Sequence, residues 1–493
     1  KRHKIDGGTY GHPYTTFDTK NGRSFEQTIK QIRMIIIRER VNEPIRGTYQ
    51  TLYNSANTSI NTNNDDGLIN TTSGSNNYSQ LAQWAKNNAF VFLIGLDGNG
   101  NYLDSTDPTG ATRNAFKERA LQGFENLSGH IPGIHNWFNQ FDMDDMQNWG
   151  RSLMLWLQCY DMLKASAALP ELVNSSRNYY NNFDSDKNKS KCSPRNKLRA
   201  LMRDFYINCK GSGGIVEHWT GWKKNHGIKA ASCLLMGAQV LNDAGVETNY
   251  LKGIFGFLWF DYKTPRPNYS PINWNKLGLD GLYENLFVGH HVLSRDVPQS
   301  PINTEANSYS VYAEGPGYLR YGLLESGIPA MRAQANYYPA WSDKVLLNKP
   351  EIKNVFNWYY NLISNDGYIP SFDNTRNYTC NILTLTGNSD YNLGTTNGIT
   401  LQHAADFIAI VAGNNMQVFT KEIKRLENME LAGNIMLNDT ANNKKFKLVG
   451  LFESGQAVDK GANPITESET HEEHDFGTFM MFGNTTPLAI DPQ

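Results

Sequence analysis

Several features that define common protein classes are missing from this sequence. The 493 residues contain no run of about 20 consecutive apolar residues, so the sequence predicts no membrane-spanning helix. The 46 Lys and Arg residues nearly balance the 48 Asp and Glu residues, and no basic block stands out, so a nucleic-acid partner is not expected. The chain opens Lys-Arg-His-Lys with no apolar run behind it, so a signal peptide is either absent or has been removed.

Cysteine is scarce, and its spacing excludes one common metal site. None of the five cysteines stands in a Cys-X-X-Cys pair, which excludes a zinc knuckle. Cys159 and Cys233 lie within apolar helical patterns and are predicted to be buried thiols. Cys192 and Cys209 are candidates for a disulfide.

Aromatic residues, by contrast, are abundant, at 12 % of the chain. Rings beyond the needs of the core often line carbohydrate clefts, where they meet the flat faces of sugars. Extra rings in the core or at an interface are the alternative. The length exceeds that at which a single core keeps growing, so two domains are expected.

The pattern along the chain predicts a mainly α protein with a β domain. Residues 1–84 are assigned to an irregular region, within which residues 54–80, rich in Asn, Ser and Thr, are predicted to be a loop or a mobile segment. Amphipathic helical patterns dominate residues 85–440 and favour an incomplete α/α toroid of helical hairpins. Among them are the patterns at 146–166, 194–209, 226–245, 349–367 and 400–413. Alternating β-rich segments at 444–461 and 476–491 predict that residues 441–493 begin an antiparallel β-sandwich. About fifty residues are few for a sandwich, so we expect the domain to continue past Gln493 or to be completed by a partner chain.

A first chemical motif is the segment KKNHGIKAAS. Asn225 precedes a predicted helix and His226 falls in its first turn, where the helix dipole is positive. An amide, an imidazole and a positive helix end suit a carboxylate or an enolate-like dianion. A simple helix cap explains Asn225 equally well. Trp219 and Trp222 could stack on a sugar. Lys223 and Lys224 could contact a charged sugar or could be solvated surface residues.

A second motif is YAEGPGYLRYG, residues 312–322. Its Gly-Pro-Gly predicts a sharp turn followed by a helix. Tyr318 and Tyr321, three residues apart, would share a face of that helix, either as core tyrosines or with a phenol placed for proton transfer. Tyr312, Glu314 and Arg320 are candidate substrate contacts, although Glu314 could also serve only as a favourable first-turn acid.

A third motif closes the chain. In a strand that includes THEEHDFG, His471 and Glu473 fall on one face and His474 on the other, and a hairpin would bring Asp491 beside them. Imidazole and carboxylate groups that meet in this way are possible zinc ligands. A salt-bridged hairpin is the alternative.

Together, NHGIKAA, YAEGPGYLRYGLL and H…HDFGTFMMFGNTTPLAIDP resemble, in this order, the heparinase II/III-like polysaccharide lyases. The resemblance covers roughly residues 130–493. It implies an α/α toroid followed by a β-sandwich, eliminative cleavage of an acidic, uronate-containing polysaccharide, and a secreted, periplasmic or cell-surface location. It implies no organic cofactor and leaves open a structural divalent metal, either zinc or calcium.

The resemblance also implies roles for individual residues. Asn225 and His226 would neutralise the uronate carboxylate, Tyr318 would be the catalytic tyrosine, and His471 would reach the cleft from the β-domain. The metal ligands would be Glu473, or His474 in its place, and Asp491. The sequence departs from the family pattern at Lys229, where some members carry Glu, and at the final Asp-Pro-Gln.

Two other functions fit the same residue types. A glycoside hydrolase on a similar toroid would use two carboxylates, such as Glu314 and one of the acids within residues 142–145. A non-catalytic glycan-binding protein would bind oligosaccharide without turnover, and Tyr318→Phe would leave its affinity nearly unchanged.

Overall fold

The computed structural model describes residues 12–15, 25–38, 44–60, 65–70, 77–106, 109–128, 143–166, 177, 179, 193–210, 225–243, 278–279, 282, 292–293, 311–312, 320–337, 345–348, 426–429, 434–439, 446–451, 479–483 and 486–489. Within these residues the chain is mainly helical, as predicted, and a five-stranded antiparallel sheet follows the helices along the chain. The helices predicted at 349–367 and 400–413 lie outside the described residues.

The helices are α1 (Phe25–Arg38), α2 (Pro44–Asn57), α3 (Gln80–Ile94), α4 (Leu103–Thr106), α5 (Ala111–Asn126), α6 (Met143–Ala165), α7 (Pro194–Lys210), α8 (Asn225–Leu241), a π-helix (Arg320–Gly327), α9 (Ile328–Ala335) and a 3₁₀ turn (Leu346–Asn348). The strands are β1 (Ile69–Asn70), β2 (Asn77–Tyr78), β3 (Val292–Leu293), β4 (Val311–Tyr312), β5 (Leu426–Met429), β6 (Asn434–Asp439), β7 (Phe446–Leu451), β8 (Phe479–Gly483) and β9 (Thr486–Ala489).

The N-terminal region is more regular than the sequence analysis assigns. In α1 the buried residues Ile29, Ile32 and Ile36 recur at helical spacing, which gives the helix an apolar face. α1 packs on α2, and α2 packs on α3. These two helices therefore belong to the same array as the helices that follow.

Part of the Asn-rich segment is organised by a single carboxylate. Asp65 accepts hydrogen bonds from the backbone N–H of Gly67 at 2.9 Å, from the Ser79 hydroxyl at 2.7 Å and from the backbone N–H of Leu81 at 2.9 Å. The Ser79 hydroxyl in turn accepts from the backbone N–H of Ala82 at 3.0 Å and caps the start of α3. The segment that leads into α3 is thus tied to the first turn of that helix.

Helices α3, α5 and α6 pack closely around a buried tryptophan. The Trp156 indole N–H donates to the Gly67 carbonyl at 2.5 Å, and its ring lies 4.9 Å from the Phe124 ring, centroid to centroid. Gly123 of α5 faces Ala85 of α3 so closely that a Cβ on Gly123 would stand 2.8 Å from the Ala85 Cβ. A glycine at this point therefore permits the two helices to approach.

The second half of the helical array surrounds α8, which packs on α6, α7, the π-helix and α9. The Tyr337 hydroxyl, just after α9, donates to the Gln239 carbonyl of α8 at 2.6 Å. Cys159 of α6 and Cys233 of α8 are fully buried, free thiols, which confirms the prediction made for both. Cys192 and the side chain of Cys209 lie outside the described residues.

The five C-terminal strands form one antiparallel sheet in sequential order, β5-β6-β7-β8-β9. Its register pairs Leu437 with Leu448, and Leu448 with Met481. Strands β7, β8 and β9 lie within the two segments predicted to be β-rich. β5 and β6 precede residue 440, where the sequence predicts that the β-domain begins, so strand structure starts earlier than expected.

None of the helices in the described part of the chain is both long enough and apolar enough to cross a bilayer.

Candidate functional site

The structure places some of the predicted site residues on named elements. Asn225 and His226 are the first two residues of α8, as the motif predicts. Tyr312 lies in β4, where it pairs with Val292 of β3, and Arg320 is the first residue of the π-helix. The other predicted site residues lie outside the described residues: Trp219, Trp222, Lys224, Glu314, Tyr318, His471, Glu473, His474 and Asp491.

The first turn of α8 presents backbone N–H groups without intrahelical acceptors, as every helix start does. Both Asn225 and His226 belong to this turn. One turn later, the buried Lys229 donates from its Nζ to the Gln147 side-chain oxygen of α6 at 2.7 Å. Lys229 stands where the resemblance expects an acid in some members.

The helix that begins at Asn225 lies beside the helix that follows the tyrosine motif. α8 packs against both the π-helix and α9. A Cβ added to Gly327, the last residue of the π-helix, would stand 3.7 Å from the Ile228 Cγ2. The first motif begins α8, and the end of the second motif begins the π-helix, so these two motifs lie on neighbouring elements. In the sequence, 87 residues separate Ile228 from Pro316.

A helix follows the Gly-Pro-Gly sequence, as predicted, but from Arg320 to Gly327 it is a π-helix rather than an α-helix. A π-helix closes i→i+5 hydrogen bonds and is rare, occurring mostly as short stretches that are frequent at functional sites. Tyr318 lies outside the described residues, so its expected sharing of a helix face with Tyr321 stays a prediction.

A charged cluster that the sequence analysis did not single out lies next to the π-helix. The Glu325 carboxylate forms an ion pair with the Arg151 guanidinium of α6, with an N–O distance of 2.5 Å. The Glu325 side chain is only 8 % exposed. The Arg151 guanidinium also stacks 3.8 Å from the centroid of the Tyr78 ring of β2. Cation–π contact and ion pairing together hold this arginine between three elements.

Lys86 of α3 belongs to the same cluster. Burial lowers the pKa of Lys86 to about 7; the Glu325 carboxylate opposes this shift, whereas the Arg151 charge adds to it. The side chain is almost fully buried. A buried lysine has a pKa near 7 when the cost of desolvating its charged form exceeds the attraction of a counter-ion that it shares with another cation.

The sequence did contain a signal for this cluster. Lys86 and Arg151 stand among apolar residues in QWAKNNAFVFLI and NWGRSLMLWLQC. A cation within the buried stripe of a helix needs a buried partner. Which acid supplies it follows only from the packing of the helices.

In the part of the chain that the structure describes, no three His, Cys, Asp or Glu side chains form a group able to hold a metal ion. The three predicted metal ligands lie outside those residues. Comparison of the chain with models of protein families gives no match, and comparison with curated proteins gives none either.

Proposed function

We propose that this protein is a polysaccharide lyase that cleaves an acidic, uronate-containing polysaccharide by β-elimination. The observation that carries the proposal is the packing of α8, which begins with Asn225-His226, against the π-helix that follows the tyrosine motif. An amide and imidazole on one element and a phenol just before the other are the groups that this reaction requires.

The proposed fold is an incomplete α/α toroid followed by an antiparallel β-sandwich. The helical array around α3, α6 and α8 and the separate five-stranded sheet are consistent with its two parts. The β-sandwich would supply His471 to the cleft, and Glu473 or His474 with Asp491 would hold a structural divalent metal. Trp219, Trp222, Lys224, Tyr312, Glu314 and Arg320 would contact the sugar chain.

Elimination requires removal of the C5 proton of a uronate, which is weakly acidic while the neighbouring carboxylate is charged. Asn225 and His226, in the first turn of α8, neutralise that carboxylate in the proposal, where the positive helix end favours the developing charge. Lys229 adds a buried cation one turn away.

Tyr318 then transfers protons. As phenolate it takes the C5 proton, or His471 does so, and as phenol it returns a proton to the departing O4. The C4–O4 bond breaks as the C4–C5 double bond forms. An unperturbed tyrosine has a pKa of ~10, so nearby positive charge must favour the phenolate. The product is a 4,5-unsaturated uronide, which absorbs ultraviolet light.

The test is incubation of the purified protein with heparan sulfate, chondroitin sulfate, alginate and ulvan while ultraviolet absorbance is followed. The proposal expects absorbance to rise with at least one of them. Tyr318→Phe and Asn225→Ala should each reduce the rate by a factor of ~10² or more, because each removes a group used in the transition state.

Two matched variants control for the substitutions themselves. Tyr102 is an exposed tyrosine outside the motifs, and Asn196 is an exposed asparagine in the first turn of α7. Tyr102→Phe and Asn196→Ala should leave the rate unchanged. New reducing ends without absorbance would identify a hydrolase, and binding without any new ends would identify a glycan-binding protein; either result overturns the lyase.

A further inference from the structure

Residues 12–15, which precede α1, lie against helices that come much later in the chain, and we call them the latch segment. Pro13 is buried, and Tyr14 and Thr15 are fully buried. The Asn336 side chain, at the end of α9, donates a hydrogen bond to the Pro13 carbonyl across 323 positions of sequence. The latch segment is therefore attached to α9.

The latch segment is also attached to α6. The backbone N–H and the hydroxyl of Thr15 both donate to Oδ2 of Asp161, each at 2.7 Å. Helices α6 and α9 both pack on α8, and the latch segment connects them directly. The start of the chain thus closes the described helical array between a middle helix and its last α-helix.

The construction of the latch segment favours local opening. Its residues form a bend and a turn and have no helix or strand of their own. Segments of this kind open in units smaller than the whole protein, with a free energy below that of global unfolding. Because both hydrogen bonds of Thr15 go to one carboxylate, the state of that carboxylate affects the opening.

The charge of Asp161 is costly while the latch segment is closed. The side chain is fully buried, and its Oδ1 receives no hydrogen bond of normal geometry from the described residues. Burial accordingly raises the pKa of Asp161 to about 6. Opening would expose the carboxylate to water, which stabilises the ionised form more than the protonated form. Ionisation of Asp161 therefore favours opening.

The groups that face Asp161 come from α6, from the latch segment and from the end of α9. Lys164, one turn later in α6, favours the ionised carboxylate. Tyr14 and Tyr337 also lie near Asp161, and burial raises the pKa of both phenols, so they stay neutral between pH 5 and 7.5. Arg332 of α9 lies near Tyr14.

His12, the first residue of the latch segment, acts in the opposite direction. Burial, and then the charge of Lys164, lower the pKa of His12, whereas the charge of Glu26 in α1 opposes this shift. Lys164 in turn lies near Arg195 of α7. Because the pKa of His12 is lowered in the closed form, protonation of His12 favours opening at acidic pH. The sign of the pH dependence therefore separates His12 from Asp161.

We propose that residues 12–15 form a latch that closes the helical array between α6 and α9, and that this latch holds more firmly when Asp161 is protonated than when it is ionised. Above about pH 6 the latch opens more often, while α6 and α8 stay folded. The latch is a property of the fold and does not depend on which reaction the protein catalyses.

The Thr15 amide reports directly on the latch, because its N–H donates to Asp161. Its protection factor, the ratio of the intrinsic to the observed hydrogen-exchange rate, is measured at pH 5 and pH 7.5 with residue resolution. For wild type we expect a protection factor that is roughly five- to tenfold smaller at pH 7.5 than at pH 5. Low concentrations of urea should accelerate the most protected amides of α8 more than the Thr15 amide, since global unfolding exposes more surface.

Three variants test the two halves of the proposal. Asp161→Asn keeps an acceptor but cannot ionise, so the decrease in protection between pH 5 and 7.5 should disappear. His12→Asn should enlarge the decrease, and it serves as the second test if Asp161→Asn does not fold. Asn336→Ala removes the attachment to α9 and should reduce the protection of the Thr15 amide roughly fivefold.

Thr15→Val and Thr51→Val are a matched pair. The Thr51 hydroxyl also forms a hydrogen bond, to the Gly47 carbonyl at 3.0 Å, but on the exposed side of α2. Thr15→Val should reduce the protection of the amide at position 15 roughly fivefold at pH 7.5, because it removes one of the two bonds to Asp161. Thr51→Val should leave that protection within about twofold of wild type.

Each remaining outcome overturns a stated part of the proposal. Protection of the Thr15 amide that stays constant or increases from pH 5 to 7.5 would overturn the control by Asp161, as would an equal decrease in Asp161→Asn. Protection and urea dependence equal to those of the most protected amides of α8 would overturn the latch, because residues 12–15 would then open only with the whole fold. Wild-type protection in Asn336→Ala would overturn the closure onto α9.

Discussion

Thr15 donates two hydrogen bonds to one oxygen of Asp161, from its backbone N–H and from its hydroxyl, both at 2.7 Å. The two residues are 146 positions apart in the sequence. Asp161 is fully buried in α6, and the segment before α1 is thereby fixed to the middle of the helical array. Next to this contact, Asn336 donates to the Pro13 carbonyl and ties the same segment to the end of α9.

Asp161 should make stability depend on pH in the direction opposite to most carboxylates. Burial raises the pKa of Asp161 to about 6, although the Lys164 charge and the Thr15 hydrogen bonds favour the ionised form. Between pH 4 and 6 the folded protein therefore binds more protons at this group than the unfolded chain, so its contribution to the unfolding free energy falls as pH rises.

Asp161→Asn removes that dependence while it keeps an acceptor for Thr15. Relative to wild type, this variant should lose roughly 3 kcal/mol of unfolding free energy between pH 8 and pH 4, measured by denaturant titration. Thr15→Val should destabilise more at pH 8 than at pH 4, because its lost hydroxyl bond favours the charged carboxylate. Parallel pH curves for wild type and Asp161→Asn would contradict the raised pKa.

Lys86 should add a second pH dependence at higher pH. With the pKa lowered to about 7 by burial, the unfolded chain binds more protons at this group between pH 7 and 10.5, so stability contributed by the site rises with pH. Wild type should gain on the order of 4 kcal/mol relative to Lys86→Met from pH 7 to pH 10. Lys30→Met, on the exposed side of α1, controls for the substitution itself. If the unfolding free energy of Lys86→Met and that of wild type changed equally with pH over this range, the lowered pKa of Lys86 would be contradicted.

Lys197 donates hydrogen bonds to carbonyl groups at the end of α5, where the helix itself provides no donors. Its buried ammonium donates to the carbonyl oxygens of Phe124 at 2.8 Å and Leu127 at 2.7 Å. Lys197→Met leaves these carbonyls without that donor, and we expect it to reduce the unfolding free energy by roughly 2 to 4 kcal/mol. Thermal and denaturant unfolding at pH 7 would measure this loss, with Lys30→Met again as the exposed comparison. A loss below about 0.5 kcal/mol, the usual range for surface substitutions, would contradict the capping role.

Two helical glycines should respond differently to the same substitution. A Cβ on Gly123 would meet the Ala85 Cβ at 2.8 Å and the Trp156 ring at 3.1 Å, neither of which can move freely. The three atoms nearest to a Cβ on Gly237 all belong to the flexible Met202 side chain, at 2.4, 2.6 and 3.2 Å. Overpacking should outweigh the ~1 kcal/mol gain in helix propensity in Gly123→Ala, with a net loss of roughly 1 to 2 kcal/mol. Gly237→Ala should remain within about 1 kcal/mol of wild type; a reversed order in urea titrations would contradict the close α3–α5 contact.

The helical part of the fold was largely predictable because helix formation follows local periodicity. The patterns at 146–166 and 194–209 correspond closely to α6 and α7, and the Asn225-His226 pair begins α8 as expected. The helices at 25–57 escaped prediction because their apolar stripes lie beside polar, Asn-rich sequence. The helix after the Gly-Pro-Gly turn was predicted, but its π conformation was not, because no local propensity distinguishes it from an α-helix.

The sequence by itself determined helices α6, α7 and α8, strands β7 to β9 and the burial of Cys159 and Cys233, because each of these depends on residues close together along the chain. Only the tertiary structure decided that Glu325 forms an ion pair with Arg151 and stabilises the charge of Lys86, and that Asp161 accepts the hydrogen bonds of Thr15. A buried charge requires a partner, but any distant residue of suitable chemistry satisfies that requirement. Helix packing depends on the shapes of many side chains at once, and it selects which residue becomes the partner of the buried charge.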